Sequence, residues 1–263
     1  MVQTNAKESH GTRREALLTS LPFVLFGLAI GLSALIYGGG PWHKTPTWRT
    51  TLSVLAWFVP AAAVGIGGCI AVIRRLPTWS YTWLGASVME VFLLVTIIED
   101  ELAESGQNII SPTAEAIIAV ALLVAILAAL AVAALRGWQQ AGLVSVGLAS
   151  TMGLATLGMV MAAPFYRWQS AILAIPLGLI MAALTWTYVR SVRVTVRVAV
   201  LFCLALLNAG PIWALGSAVR EWMIAHGQSP FTMQLMVLST ALFLAGPVLG
   251  LLSRPLQPLL RRT

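Results

Sequence analysis

Charge is scarce in this sequence. Only 10% of its 263 residues are Asp, Glu, Lys or Arg, and just nine of them are acidic. Soluble domains carry roughly 25% charged residues, so a chain this poor in charge cannot cover a water-facing surface. Cysteine is nearly missing too. Cys69 and Cys203 both lie inside apolar runs, with no CxxC or Cys/His spacing. A disulfide or zinc site is therefore not expected, and buried, reduced, apolar-like thiols are. The histidines, His10, His43 and His226, stand alone in polar segments.

The common signatures of catalysis are absent as well. There is no GxSxG, HExxH or Walker A motif, and no GxGxxG in a phosphate-binding strand–helix context. No Lys lies within an apolar run, which argues against a retinal Schiff-base protein. No paired-acid motif of the prenyltransferase kind is present, and the acidic 99–104 stretch lacks the downstream histidines of membrane-embedded metalloprotease-like families. Catalysis in lipid needs several convergent polar groups, and the apolar runs offer about two. The chain is not expected to be an enzyme, and neither a cofactor nor a metal is expected.

What fills the chain is hydrophobic residues, 59% of the total, with a mean hydropathy of +0.87. They gather into runs near 16–37, 51–73, 81–98, 113–135, 142–164, 168–189, 197–217 and 233–252. A helix crosses the hydrocarbon core with about 20 apolar residues. In lipid every backbone N–H and C=O must be paired internally, which leaves helices or closed barrels. The runs lack sustained period-2 alternation, so helices are expected. The fold class that follows is an all-α polytopic integral membrane bundle of about eight transmembrane helices. Residues 1–15 form a cytoplasmic N-terminal segment, 16–252 the transmembrane domain and 253–263 a basic cytoplasmic tail. The first run is too long for a signal-peptide core and has no convincing small-residue cleavage site, so it reads as a retained span.

The formal net charge of +7 invites a nucleic-acid reading, but the basic residues form no continuous stripe and none is expected to bind nucleic acid. Their placement fits membrane topology instead. With the N-terminus inside, Lys7, Arg13, Arg14, Arg74, Arg75, Arg136, Arg190, Arg193, Arg197, Arg254, Arg261 and Arg262 fall on the inner side, and only Lys44, Arg49, Arg167 and Arg220 on the outer. Twelve against four follows the positive-inside rule and puts both termini in the cytoplasm. Trp42, Trp48, Trp168 and Trp222 then lie near the outer interface, with Trp79, Trp138 and Trp186 near the inner one.

Small residues mark where helices pack. Gly27 and Gly31 form a GxxxG pair, and Ala121, Ala125, Ala129 and Ala133 recur at four-residue spacing. The fifth run holds Gly147, Ser150, Thr151, Gly153, Ala155, Thr156 and Gly158, and should sit centrally. These let backbones approach where lipid gives no hydrophobic drive to associate, and are read as packing within the chain rather than dimerisation. Pro22, Pro60, Pro176, Pro211 and Pro247 interrupt runs. Gly210-Pro211 and Gly246-Pro247 sit in related surroundings at a 36-residue offset. Such breaks free backbone carbonyls and permit kinks, and paired broken helices can mark a transporter's binding site.

The chain is organised around Glu90, the single carboxylate in the middle of an apolar run. Counted from Tyr81 at 1.5 Å per residue, it lies roughly 13–14 Å into the membrane. A carboxylate there must be protonated, paired or facing water, because charging it costs several kcal/mol. No Lys or Arg stands in another span to pair with it. Ser87 and Trp83 share its helix face, and Asn208, beside the Gly210 break, is the nearest other mid-membrane polar residue. Glu90, Ser87 and Asn208 form the candidate intramembrane site, as a proton or cation relay or as structural hydrogen bonding. Glu99, Asp100, Glu101 and Glu104 make an outer acidic patch, read as a solvated loop rather than a metal site, since they point three ways around a helix.

The expected function is a small-solute or ion permease, channel or permease subunit in the cytoplasmic (inner) membrane, using Glu90 as its carboxylate. The alternative is a non-catalytic membrane subunit or regulatory protein held to a partner. Membrane lipid is the expected partner, joined in the second reading by a membrane protein or an ATPase subunit, since the chain has no nucleotide-binding domain. In that reading the basic 190–197 loop and the tail from Arg254 would be docking surfaces or inner-leaflet contacts.

Overall fold

A computed structural model describes residues 12–37, 47–74, 79–88, 112–162, 167–204 and 206–207, with 248, 250 and 252 near the C-terminus. All but a few turn residues among these are helical, and none is in a strand. The helices are α1 (Arg13–Tyr37), α2 (Thr47–Ile73), α3 (described over 79–88), α4 (Pro112–Arg136), α5 (Trp138–Ala162), α6 (Arg167–Arg190) and α7 (Val194–Leu204). Two stretches, Arg13–Ile36 and Thr51–Ala71, are long and apolar enough to cross a bilayer.

Local chemistry sets the helix ends. At the start of α1 the Thr12 N–H donates to Glu15 Oε2 at 2.7 Å, and the Glu15 N–H donates to Thr12 Oγ1 at 3.1 Å. This reciprocal T-x-x-E capping box satisfies two of the donors a helix start leaves open. Between α4 and α5 a single residue does the work. Gly137 has φ 133°, the left-handed region that L side chains avoid. Its N–H closes α4 on the Ala133 and Ala134 carbonyls, while its own carbonyl accepts the first N–H groups of α5, from Gln140 and Ala141.

Small residues set the crossings. Among the described residues, α1 and α6 form an extensive helix pair. At their contact a Cβ on Gly178 would fall 2.7 Å from the Phe23 carbonyl oxygen and 2.9 Å from Gly27 Cα. α3 and α5 cross as closely. A Cβ on Gly147 would press on the Thr82 carbonyl oxygen and sit 2.9 Å from the Ala86 nitrogen, and one on Gly85 would press on the Val144 carbonyl. Paired positions also give direction. Gly65 faces Ser87 while Gly68 faces Trp83 and Leu84, so α2 and α3 are antiparallel. Ser33 and Ser53 share a buried hydroxyl hydrogen bond of 2.6 Å between α1 and α2. Gly142, near the start of α5, abuts the Tyr188 hydroxyl near the end of α6, so these two are antiparallel as well.

Pro22 leaves α1 with an orphan. Proline has no N–H, so the Leu18 carbonyl, four residues earlier, loses its intrahelical donor. The indole Nε1 of Trp83 supplies the replacement, donating to the Leu18 oxygen at 2.7 Å. One proline thereby fixes the contact between α1 and α3.

Polarity is distributed inside out. Buried side chains include Thr19, Ser33, Ser53, Thr82, Ser150, Thr185 and Arg197, alongside Phe23, Phe26, Leu130 and Met181. Leu28, Leu35, Val59, Ile66, Ile73, Val120, Val198 and Phe202 are among many large apolar side chains that face outward. α5 is central: every residue from Ala141 to Thr151 is buried.

Two expectations are corrected. Cys69 and Cys203 are free but exposed, not buried, because each sits on an outward-facing apolar side of its helix. In the α4 alanine series, Ala129 and Ala133 are buried but Ala121 and Ala125 are exposed. A strict four-residue step advances about 40° per step on a helix of 3.6 residues per turn, so the series winds off the packed face. That face is instead Ile126, Ala129, Leu130, Ala133 and Ala134.

Candidate functional site

α3 carries the residues singled out around the intramembrane carboxylate, and its described part ends at residue 88. Trp83 and Ser87, one turn apart, both face α2, with Trp83 also reaching α1. Ser87 is buried, its Cβ close to Gly65, and its hydroxyl donates to the Leu84 carbonyl at 2.9 Å. With its proton used within its own helix, Ser87 Oγ is left as an acceptor. It suits a neighbour that carries a proton, such as a neutral carboxyl, better than a carboxylate.

The other side of α3 meets α5 through Gly85 and Gly147. The same two helices carry four further hydroxyls, Ser80 and Thr82 on α3 and Ser150 and Thr151 on α5. All four oxygens are buried, and none has a hydrogen-bond partner among the described residues. Ser145, on the same stretch of α5, does bond back to its own helix, at the Ala141 carbonyl. Buried hydroxyls without partners are uncommon in folded proteins.

Glu90, Asn208, Gly210, Pro211, Gly246, Pro247, Glu99, Asp100, Glu101 and Glu104 lie outside the described residues. Of the candidate site only Ser87 is placed.

A second polar centre was not anticipated. Arg197, in the first turns of α7, is 4% exposed. Its guanidinium carbon lies 5.5 Å from the Trp138 ring centroid and 5.9 Å from that of Tyr188. Nε donates to the Ser191 carbonyl at 2.9 Å. Of the basic residues in 190–197, Arg190 and Arg193 are exposed and Arg197 is buried. Side chains on a helix lean toward its N-terminus, and here that lean brings Arg197 back over the 191–193 turn. Tyr188, nine residues earlier, is the one aromatic partner close to Arg197 in sequence, while Trp138 is 59 residues away.

Comparison with protein families, with curated proteins and with solved structures finds no match to this chain.

Proposed function

We propose that the chain is a polytopic helical protein of the cytoplasmic membrane, with about eight spans and both termini inside. In this reading it is a small permease, or the membrane subunit of one, for an ion or small solute. The observation that supports the membrane setting is the reversed polarity of the described bundle. Leu, Ile, Val and Phe side chains face outward along several helices while hydroxyls and an arginine are buried. Extended apolar surface of this kind is tolerated against lipid and promotes aggregation in water.

The transport reading draws on the buried hydroxyls of Ser80 and Thr82 on α3 and Ser150 and Thr151 on α5, which have no partner among the described residues. Glu90 follows on α3's sequence two residues after the described stretch and is the coupling or binding carboxylate in this proposal. Its carboxyl would spend part of the cycle protonated, the form that the acceptor oxygen of Ser87 favours.

The test is flux in proteoliposomes across a pH gradient. Glu90→Gln, which keeps the shape but cannot release a proton, is expected to lower pH-dependent flux at least tenfold while helix content and monodispersity are retained. Equal flux in variant and wild type at every pH would remove the relay. Absent wild-type flux, together with a stoichiometric partner in the native membrane, would select the non-catalytic subunit instead.

A further inference from the structure

Arg197 is out of keeping with a structural role alone. A guanidinium has five N–H donors in a rigid fork, and among the described residues Arg197 makes a single hydrogen bond, from Nε to the Ser191 carbonyl. No carboxylate pairs with it there. Glu15 is the acid whose side chain is described, and it is committed to the Thr12 cap of α1. The two rings that hold the guanidinium, Trp138 and Tyr188, provide cation–π attraction. The hydroxyl of that Tyr188 ring, which abuts Gly142 on α5, is fully buried and without a partner among the described residues.

Among the described residues the surroundings add positive side-chain charge and no acidic side chain. Arg193 is exposed on the same turn, and its carbonyl caps the head of α7 by accepting from the Val196 and Arg197 N–H groups. The first N–H groups of a helix carry partial positive charge. A buried, forked cation with one hydrogen bond among the described residues, a nearby ring whose hydroxyl has none there, and a positive helix end together suit an oxyanion.

We propose that Arg197, between Trp138 and Tyr188 at the start of α7, is a binding site for a phosphate group, carried by the headgroup of an anionic lipid. Arginine matches phosphate oxygens two at a time. Trp and Tyr rings settle at headgroup depth, and the cytoplasmic leaflet is the one rich in anionic lipid. The inference rests on the membrane setting proposed above but not on Glu90 or on transport. A protein that proved to carry nothing could still hold this lipid.

The experiment uses the full chain, delipidated in neutral detergent. Phosphatidylglycerol, phosphatidylcholine or inorganic phosphate is titrated while the melting temperature is followed, and retained lipid is counted by native mass spectrometry. Phosphatidylglycerol is expected to raise the melting temperature saturably, with phosphatidylcholine at least tenfold weaker. Arg197→Lys keeps the charge but not the fork, and is expected to weaken phosphatidylglycerol at least fivefold. Arg193→Gln removes an exposed charge and should change it less than twofold. The same Arg197-dependent response to inorganic phosphate would keep the site and assign its ligand to a soluble phosphate. Unchanged phosphatidylglycerol affinity in Arg197→Lys would overturn the proposal. Should that variant not purify intact, Tyr188→Phe decides: it deletes only an unpartnered hydroxyl, and threefold or greater weakening supports the site while unaltered affinity removes it.

Discussion

Gly147→Val is expected to drive α3 and α5 apart and to abolish the folded, monodisperse protein. The first atom added at Gly147 meets backbone, the Thr82 carbonyl oxygen and the Ala86 nitrogen, and neither can swing aside. Overpacking a core costs about 1–3 kcal/mol when side chains can adjust, and more when they cannot. Gly147→Ala should therefore lose about 3 kcal/mol, and the valine more than the protein can spare. The control is Gly65→Ala. There the new Cβ reaches only Ser87 Cβ, at 3.4 Å, an ordinary contact that needs at most a slight adjustment. Alanine also favours helix over glycine by about 1 kcal/mol, so this variant should be neutral or stabilised. Thermal unfolding in detergent reads both. Equal melting temperatures for the two alanine variants would show that α3 and α5 do not meet at Gly147.

Trp83→Phe should cost about 1–3 kcal/mol, because it strands the Leu18 carbonyl inside the bundle without a donor. The assignment of cause to Pro22 makes a sharper claim. Pro22→Ala restores an N–H at position 22, which can take the Leu18 carbonyl back into the α1 ladder. In that background Trp83→Phe should cost much less, with a coupling of about 1 kcal/mol or more in the double-mutant cycle. Additive effects would mean that Trp83 contributes by packing on Gly67 and Gly68 alone.

Helical class was legible because it follows from composition: few charges, long apolar runs and no period-2 pattern leave little else. The centrality of α5 was legible for a related reason, since Gly147, Ser150 and Thr151 shorten the distance at which a neighbour can lie. Adjacency was not. Nothing in the order of residues says that Trp83 meets the carbonyl freed by Pro22, or that Arg197 folds back between Trp138 and Tyr188, because those partners are set by tertiary contact. The T-x-x-E box at Thr12 was open to reading and marks the start of α1 one residue before the Arg pair. The alanine series in α4 misled for a geometric reason, the drift of a four-residue step around a 3.6-residue turn. The cysteines misled through a rule of soluble proteins: apolar residues are expected inside, whereas here the outward surface is apolar as well.

Sidedness of labelling is the direct test of the proposed multi-pass membrane bundle with both ends in the cytoplasm. In a Cys69→Ala, Cys203→Ala background, single cysteines would be placed at Ser9, Gln107 and Thr263. Each would be exposed to a membrane-impermeant maleimide in intact cells and again after the membrane is opened. The prediction is labelling of Gln107→Cys in intact cells, with Ser9→Cys and Thr263→Cys labelled only after opening. Labelling of either terminus from outside, protection of position 107, or recovery of the protein in the soluble fraction would contradict it.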